Sequence, residues 1–327
     1  MNCRSSMHLL SPLQPWLDDG AVTDICLNSP QSIFVDRHGV FTQHHVPELT
    51  LRCLHQLSCL IAHENQKPFD EMHPILSGQL DNGFRIQLVR SPVIEGIAFA
   101  LRRPYQDIMT LDDLSHQGYF SYSENPVEFS NGISEAKVAP SHDWLYRVRS
   151  GLQSGKNIVI SGATGSGKTT LLNACLTEVS PDERIVILED TREIDILHPN
   201  QLRLLTVPRE NVADSITMQR LLKCCLRLRP DRIIVGELRG KEVVDFLSAA
   251  MTGHGGTITT MHAETPSMAR ARLCQMYKQA AVGAIKDDDI YGEIDLAVDM
   301  IIQVARTPSG RRMVDMFERK TVNQHPE

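Results

Sequence analysis

The eight residues Gly162-Ala163-Thr164-Gly165-Ser166-Gly167-Lys168-Thr169 constrain this chain more than any other stretch. They read G-x-x-x-x-G-K-T. An apolar run, Asn157–Ile160, precedes them, and a helix-like run, Thr170–Leu176, follows. A buried strand, a glycine-rich turn and a helix start are the surroundings a phosphate-binding loop requires. Glycines let the backbone wrap a phosphate, and the N–H groups of the turn and of the helix N-terminus point at it. In this pattern Lys168 reaches the β- and γ-phosphates and the Thr169 hydroxyl ligates Mg²⁺. The candidate nucleotide-binding residues are therefore Gly162, Ala163, Thr164, Gly165, Ser166, Gly167, Lys168, Thr169 and Thr170.

Around this loop the chain divides into unlike halves. At 327 residues it is longer than one typical domain. Short strands over Val22–Leu27 and Ser32–Val35, a helix over Leu49–His63, and strands over Gly83–Val89 and Ile97–Leu101 predict a smaller α+β domain over 1–108 with an antiparallel sheet. Residues 109–142 are rich in Pro, Ser, Gly and Glu and read as a linker with one or two short helices, the first capped at Thr110. From 143 to 327 strands alternate with helices, which predicts an α/β domain with a mostly parallel sheet and a closing hairpin over Val298–Ala305 and Arg311–Arg319.

Ligands of such sheets sit at the carboxyl ends of the strands. Three of the later strands end in groups suited to hydrolysis. Ile185–Leu188 runs into Glu189-Asp190-Thr191-Arg192-Glu193, whose carboxylates can hold hydrated Mg²⁺ and orient a water. Arg232–Val235 runs into Gly236-Glu237-Leu238-Arg239, where Gly236 replaces the usual Asp and Glu237 is left to meet Mg²⁺-bound or attacking water. The segment Gly253–Ala263 places His254 and His262 on either side of a strand; His262 at its end suits a sensor of the phosphate state.

Composition sets limits. A net charge of −7 argues against a surface that coats nucleic acid generally. No apolar run approaches the length of a membrane-spanning helix, and no secretory leader is legible, so the expected location is cytoplasmic. Eight scattered cysteines without a C-x-x-C pair read as small buried hydrophobes of a reducing compartment.

Taken in order, Gly162–Thr169, Leu188–Glu193, Leu228–Gly240 and Thr252–Glu264 resemble the P-loop, Asp box, Walker B and His box of the type II/IV secretion and pilus-retraction ATPase superfamily. Val22–Val35 and Gly83–Pro104 are similar to the first domain of its type IV secretion and conjugation members. The resemblance implies a RecA-like C-terminal domain, an α+β N-terminal domain, a homo-hexameric ring, and ATP with Mg²⁺ between the domains. It implies that N-terminal arginines approach the phosphates, which singles out Arg85 and Arg103, with Arg102 as alternate. It also implies a carboxylate base in the Asp box, carried onto Glu193 with Glu189 second, while Glu237 and Thr169 hold the metal–water shell.

The expected function is an ATP-hydrolysing motor that drives assembly, or transfer of a protein or protein–DNA substrate, through inner-membrane channel components. The protein would attach peripherally through those partners, without an integral membrane segment or direct general nucleic-acid binding. Two rivals stand beside it. A DNA-tracking motor would use the Arg-rich stretches 227–232 and 306–312. A nucleotide-gated scaffold with little hydrolysis would be consistent with the missing Asp at position 236.

Overall fold

The computed structural model describes residues 6–37, 40–103, 108–121, 144–207, 215–253, 255–281 and 285–319. The chain separates into two compact units, Met1–Gln106 and Asp107–Glu327.

In the first unit two short helices, α1 (Ser6–Leu9) and α2 (Gln14–Leu17), lead into β1 (Val22–Ser29), β2 (Ser32–Arg37) and β3 (Val40–His45). Helix α3 (Leu51–Glu64) follows, then β4 (Ile75–Gln79), β5 (Arg85–Arg90) and β6 (Ile97–Arg102). The six strands form one sheet in the order β3-β2-β1-β6-β5-β4, with antiparallel pairing throughout. The period-two pattern decides the faces. Ile97, Phe99 and Leu101 of β6 are buried with Ile25, Leu27 and Leu88, and the α3 residues Leu54, Leu57 and Ile61 cover them. Ala98, Ala100 and Arg102 lie on the other face. Thr50 starts α3 by accepting the Cys53 amide hydrogen on its hydroxyl. The sequence reading contains no β4; its sequence ILSGQ carries Gly78 where the close approach of the Asn65 side chain leaves no room for a Cβ.

The second unit opens with α4 (Leu111–His116) and α5 (Trp144–Gln153). A reciprocal capping box between Thr110 and Asp113 starts α4. Arg149 of α5 pairs with Asp112 and with Glu178, tying both helices to the end of the P-loop helix. The remaining elements are β7 (Ile158–Ser161), α6 (Lys168–Leu176), β8 (Ile185–Glu189), β9 (Gln201–Leu205), α7 (Met218–Cys225), β10 (Arg232–Val235), α8 (Val243–Met251), β11 (Ile258–Met261), α9 (Pro266–Ala280), α10 (Asp287–Ala297), β12 (Met300–Thr307) and β13 (Gly310–Glu318). The sheet order is β13-β12-β7-β11-β10-β8-β9, parallel except for the β12–β13 hairpin.

Alternate residues of the central strands feed two separate cores, as a sheet covered on both faces requires. Val159, Val186, Leu188, Ile233 and Val235 pack with α7, α8, α9 and α10. Ile158, Ile160, Ile185, Ile187 and Ile234 pack with α4, α5 and α6. This is the α/β P-loop fold expected from the alternation, beside a smaller α+β unit.

Helix α10 starts in the run Asp287-Asp288-Asp289, which places three negative charges at a helix N-terminus, where the backbone dipole favours them. One expectation shifts. The cysteines divide: Cys175, Cys225 and Cys274 are buried, whereas Cys59 and Cys224 are exposed.

Candidate active site

Parallel pairing brings the ends of β7, β11, β10 and β8 to one edge of the sheet. Leu188, Val235, Thr259 and Val159 stand in one row, so the residues after them leave the sheet side by side. The P-loop leaves β7 and turns into α6 at Gly167, whose φ of 100° lies in the left-handed region. Gly162 admits no side chain, because a Cβ there would lie 2.4 Å from the Val304 carbonyl oxygen and 2.5 Å from Ser166 Oγ.

Lys168 is buried, and its ammonium donates to the Gly162 and Ala163 carbonyls at 2.9 Å each. Burial lowers its pKa, while the negative charges of Glu237 and Glu193 oppose that shift. Lys168 Nζ also lies 3.4 Å from His262 Nδ1, and His262 Nε2 lies 3.1 Å from Glu237 Oε1. One neutral tautomer satisfies both contacts: Nδ1 accepts from Lys168 and Nε2–H donates to Glu237. Burial and the Lys168 charge hold His262 below the ordinary histidine pKa, with Glu237 pulling the other way. The second Glu237 oxygen accepts from Arg239 Nη2 at 2.7 Å. Arg239 also approaches Asp190 at 3.9 Å. A continuous polar chain thus runs Lys168–His262–Glu237–Arg239–Asp190 across three strand ends.

On the α6 side, Thr169 Oγ1 donates to Glu193 Oε2 at 3.4 Å. Glu189 differs from Glu193 in every respect. It is only 1% exposed, its Oε1 accepts the Glu193 and Ile194 amide hydrogens at 2.7 Å each, and its Oε2 is buried with no hydrogen-bond partner. Burial raises its pKa against the pull of those two N–H groups. Gly236 lies close to Glu189: a Cβ there would sit 3.3 Å from Glu189 Cγ, a tight approach, and in ordinary contact with the Leu188 carbonyl oxygen at 3.5 Å.

The arginines of the first unit fall into two groups. Arg85 and Arg102 are cross-strand partners on the less buried sheet face, with Asp24 beside Arg102 in the same row. Arg103 is committed elsewhere. Its guanidinium donates to the carbonyls of Val22, Trp16, Leu17 and Asp19 at 2.6–3.0 Å and stacks over the Phe84 ring at 4.8 Å. These contacts cap the end of α2 and pin it to β1, so Arg103 Nε and Nη2 are engaged within their own unit. His254 lies outside the described residues.

Three residues near the loop are absent from the sequence reading as site residues. Gln303 of β12 is buried, bonds Ser161 Oγ, and donates to the Ala263 carbonyl at 3.1 Å, next to His262. Tyr119 Oη donates to the Gly167 carbonyl at 3.5 Å. Arg311 Nε donates to the Gly165 carbonyl at 3.2 Å. Only the Arg-rich composition of 306–312 hinted at Arg311; its placement depends on β12 pairing with β7.

No group of three or more His, Cys, Asp or Glu residues suited to a metal ion forms among the described residues. No helix among the described residues is long and apolar enough to cross a membrane.

Comparison with known proteins gives the family of the chain. The profile of the family described as "Type II/IV secretion system protein" matches residues 10–325. The type IV secretion system protein VirB11 of Brucella suis is 35% identical over 305 residues, covering 90% of this chain and 84% of its own. The conjugal transfer protein TrbB of Rhizobium radiobacter is 38% identical over 307 residues, covering 92% and 84%. The crystal structure of the Brucella suis VirB11 ATPase in complex with sulphate aligns at a TM-score of 0.50 and 32% identity, over 96% of this chain and 94% of that one. The pilus retraction motor PilT with bound ADP, at 19% identity and a TM-score of 0.64 over 96% and 83%, shares the fold. With a family match across nearly its whole length, the chain belongs to the type II/IV secretion system protein family, as a relative of the VirB11 and TrbB proteins of type IV secretion and conjugation.

Proposed function

We propose that this protein is a Mg²⁺-dependent ATPase that powers a type IV secretion or conjugation-like system. The observation that carries the reading is the polar chain Lys168–His262–Glu237–Arg239 lying beside a P-loop whose Thr169 already faces Glu193. Phosphoryl transfer needs positioning and charge neutralisation more than covalent chemistry, and these are the groups that provide both. Lys168 leaves the P-loop carbonyls to meet the β- and γ-phosphates. Glu193, the more exposed of the two Asp-box glutamates, orients the attacking water and takes its proton. His262, between Lys168 and Glu237, reads whether the γ-phosphate is present. Thr169 and Glu237 are the residues that would hold Mg²⁺, whose charge offsets that of the phosphates when it is bound.

The wider reading follows the relatives. Arg85, with Arg102 beside it, is the first-unit group proposed to approach the phosphates, as nucleotide drives the two units together within a homo-hexameric ring. The ring works on the cytoplasmic side of the inner membrane, held there by channel components, and acts on a protein or protein–DNA substrate. Although the glycine at 236 would favour a non-hydrolysing scaffold, Glu237 and Glu193 still stand beside Lys168 and Thr169, which supports hydrolysis. Lys168→Ala abolishes phosphate release in a steady-state ATPase assay; wild-type turnover in that variant would sink the site assignment.

A further inference from the structure

The order of the strands gives the site a direction. All the carboxylates and the histidine discussed above leave β8, β10 and β11, which lie on one side of β7. The other side of β7 is the β12–β13 hairpin. A nucleoside triphosphate whose γ-phosphate faces Glu193 and Glu237 is an extended molecule. With its β- and γ-phosphates in the loop, its nucleoside end must emerge toward that hairpin.

What stands on that flank is a small hydrogen-bonded assembly around the loop. The Met313 amide donates to the Tyr119 carbonyl at 2.9 Å, and Tyr119 Oη reaches the Gly167 carbonyl. Arg312 donates to the Gly118 carbonyl and to Ser309. These contacts hold β13 and the Gly118–Tyr119 turn against the P-loop, and Tyr119 itself is buried beneath it. Arg311, the neighbour of Arg312, is exposed on the outer surface of the same assembly. Its stem lies across Gly167, where a Cβ would come within 3.0 Å of Arg311 Cδ, and its Nε rests on the Gly165 carbonyl. Among the described residues no carboxylate forms an ion pair with it. A planar cation held at one edge by a backbone carbonyl, on a residue exposed beside the loop, is suited to stack on an aromatic base.

We propose that Arg311 is the nucleoside-binding residue of this site, its guanidinium covering the base of the bound nucleotide while the P-loop holds the phosphates. The proposal rests on the nucleotide reading above and adds what grips the nucleoside end. It also gives Gly167 a second reason to be glycine, since a side chain there would displace the Arg311 stem.

The test separates base from phosphate. Binding of ATP and of inorganic tripolyphosphate is measured by calorimetry on the full chain, for the wild type, Arg311→Ala and Arg311→Lys. Removal of one cation–π contact is expected to weaken ATP binding by roughly tenfold in Arg311→Ala. Arg311→Lys, which keeps the charge but not the plane, should show most of that loss. Tripolyphosphate binding should stay at the wild-type value in both. Unchanged ATP affinity in Arg311→Ala overturns the proposal. Equal weakening of ATP and tripolyphosphate overturns it too, because the residue would then act on the phosphates or on the loop itself. A wild type that binds neither probe defeats the nucleotide reading instead.

Discussion

Glu189 and Glu193 are four residues apart in one acidic segment but in different surroundings, and two substitutions can test whether their proposed roles differ accordingly. Glu189 Oε1 holds the backbone of Glu193 and Ile194, so its work is to fix the turn that aims Glu193. Glu189→Ala leaves two amide donors without their acceptor. At about 1–3 kcal/mol for each buried donor left unsatisfied, the loss is about 2–6 kcal/mol, before any cavity term. Glu189→Gln keeps a carbonyl oxygen for both donors. It also removes a carboxyl whose pKa burial has raised. A raised folded pKa means that the folded state holds this proton more tightly than the unfolded chain does. Glu189 therefore costs stability as pH rises past the ordinary carboxylate range, and the glutamine variant is expected to be at least as stable as wild type at pH 7. Hydrolysis should follow the same division. Glu193→Gln should lower kcat by roughly 10²–10⁴-fold, the range for loss of a general base. Glu189→Gln should keep kcat within a few-fold of wild type, and Glu189→Ala should lower kcat with ATP affinity preserved. The assays are urea denaturation at pH 7 and single-turnover hydrolysis. If Glu189→Gln is as inactive as Glu193→Gln, Glu189 itself handles the proton and the positioning argument is wrong.

Gly236→Ala brings a Cβ to 3.3 Å from Glu189 Cγ and should cost about 1 kcal/mol in chemical denaturation, the low end for overpacking. In combination with Glu189→Ala the loss should be less than additive, since the clash partner is gone. His262 is held below its ordinary pKa, so on acidification the unfolded chain takes up this proton first. Stability should fall as pH drops below about 6.5 toward the lowered folded value, and His262→Gln should flatten that part of the profile, read as denaturation midpoints at pH 7.5 and 5.5. Arg103→Ala removes donors to four carbonyls and should destabilise the first unit by about 2–3 kcal/mol, with faster amide exchange over 16–22 as the local signature.

The sequence by itself determined the features that depend on near neighbours. A short apolar run, a glycine-rich turn and a helix are local patterns, so the β7–P-loop–α6 unit was legible, and so was the Thr110 helix start. The alternation of buried strands with helices was enough for a parallel sheet, because crossover connections leave few other arrangements. The segment β4 escaped because Ser77, Gly78 and Gln79 lack apolar alternation and its pairing partner β5 supplies the hydrogen bonds. What only the tertiary structure decided are contacts between residues far apart in sequence. Arg103 could be assigned its carbonyl partners only once α2 and β1 were folded beside β6. Gly236 came to lie against Glu189 only because β8 pairs with β10. Arg311 acquired a place beside the P-loop only when β12 paired with β7. In each case the residue's chemistry is plain in the sequence, but its role is set by which partner the sheet order delivers to it, and sheet order is a property of the whole unit.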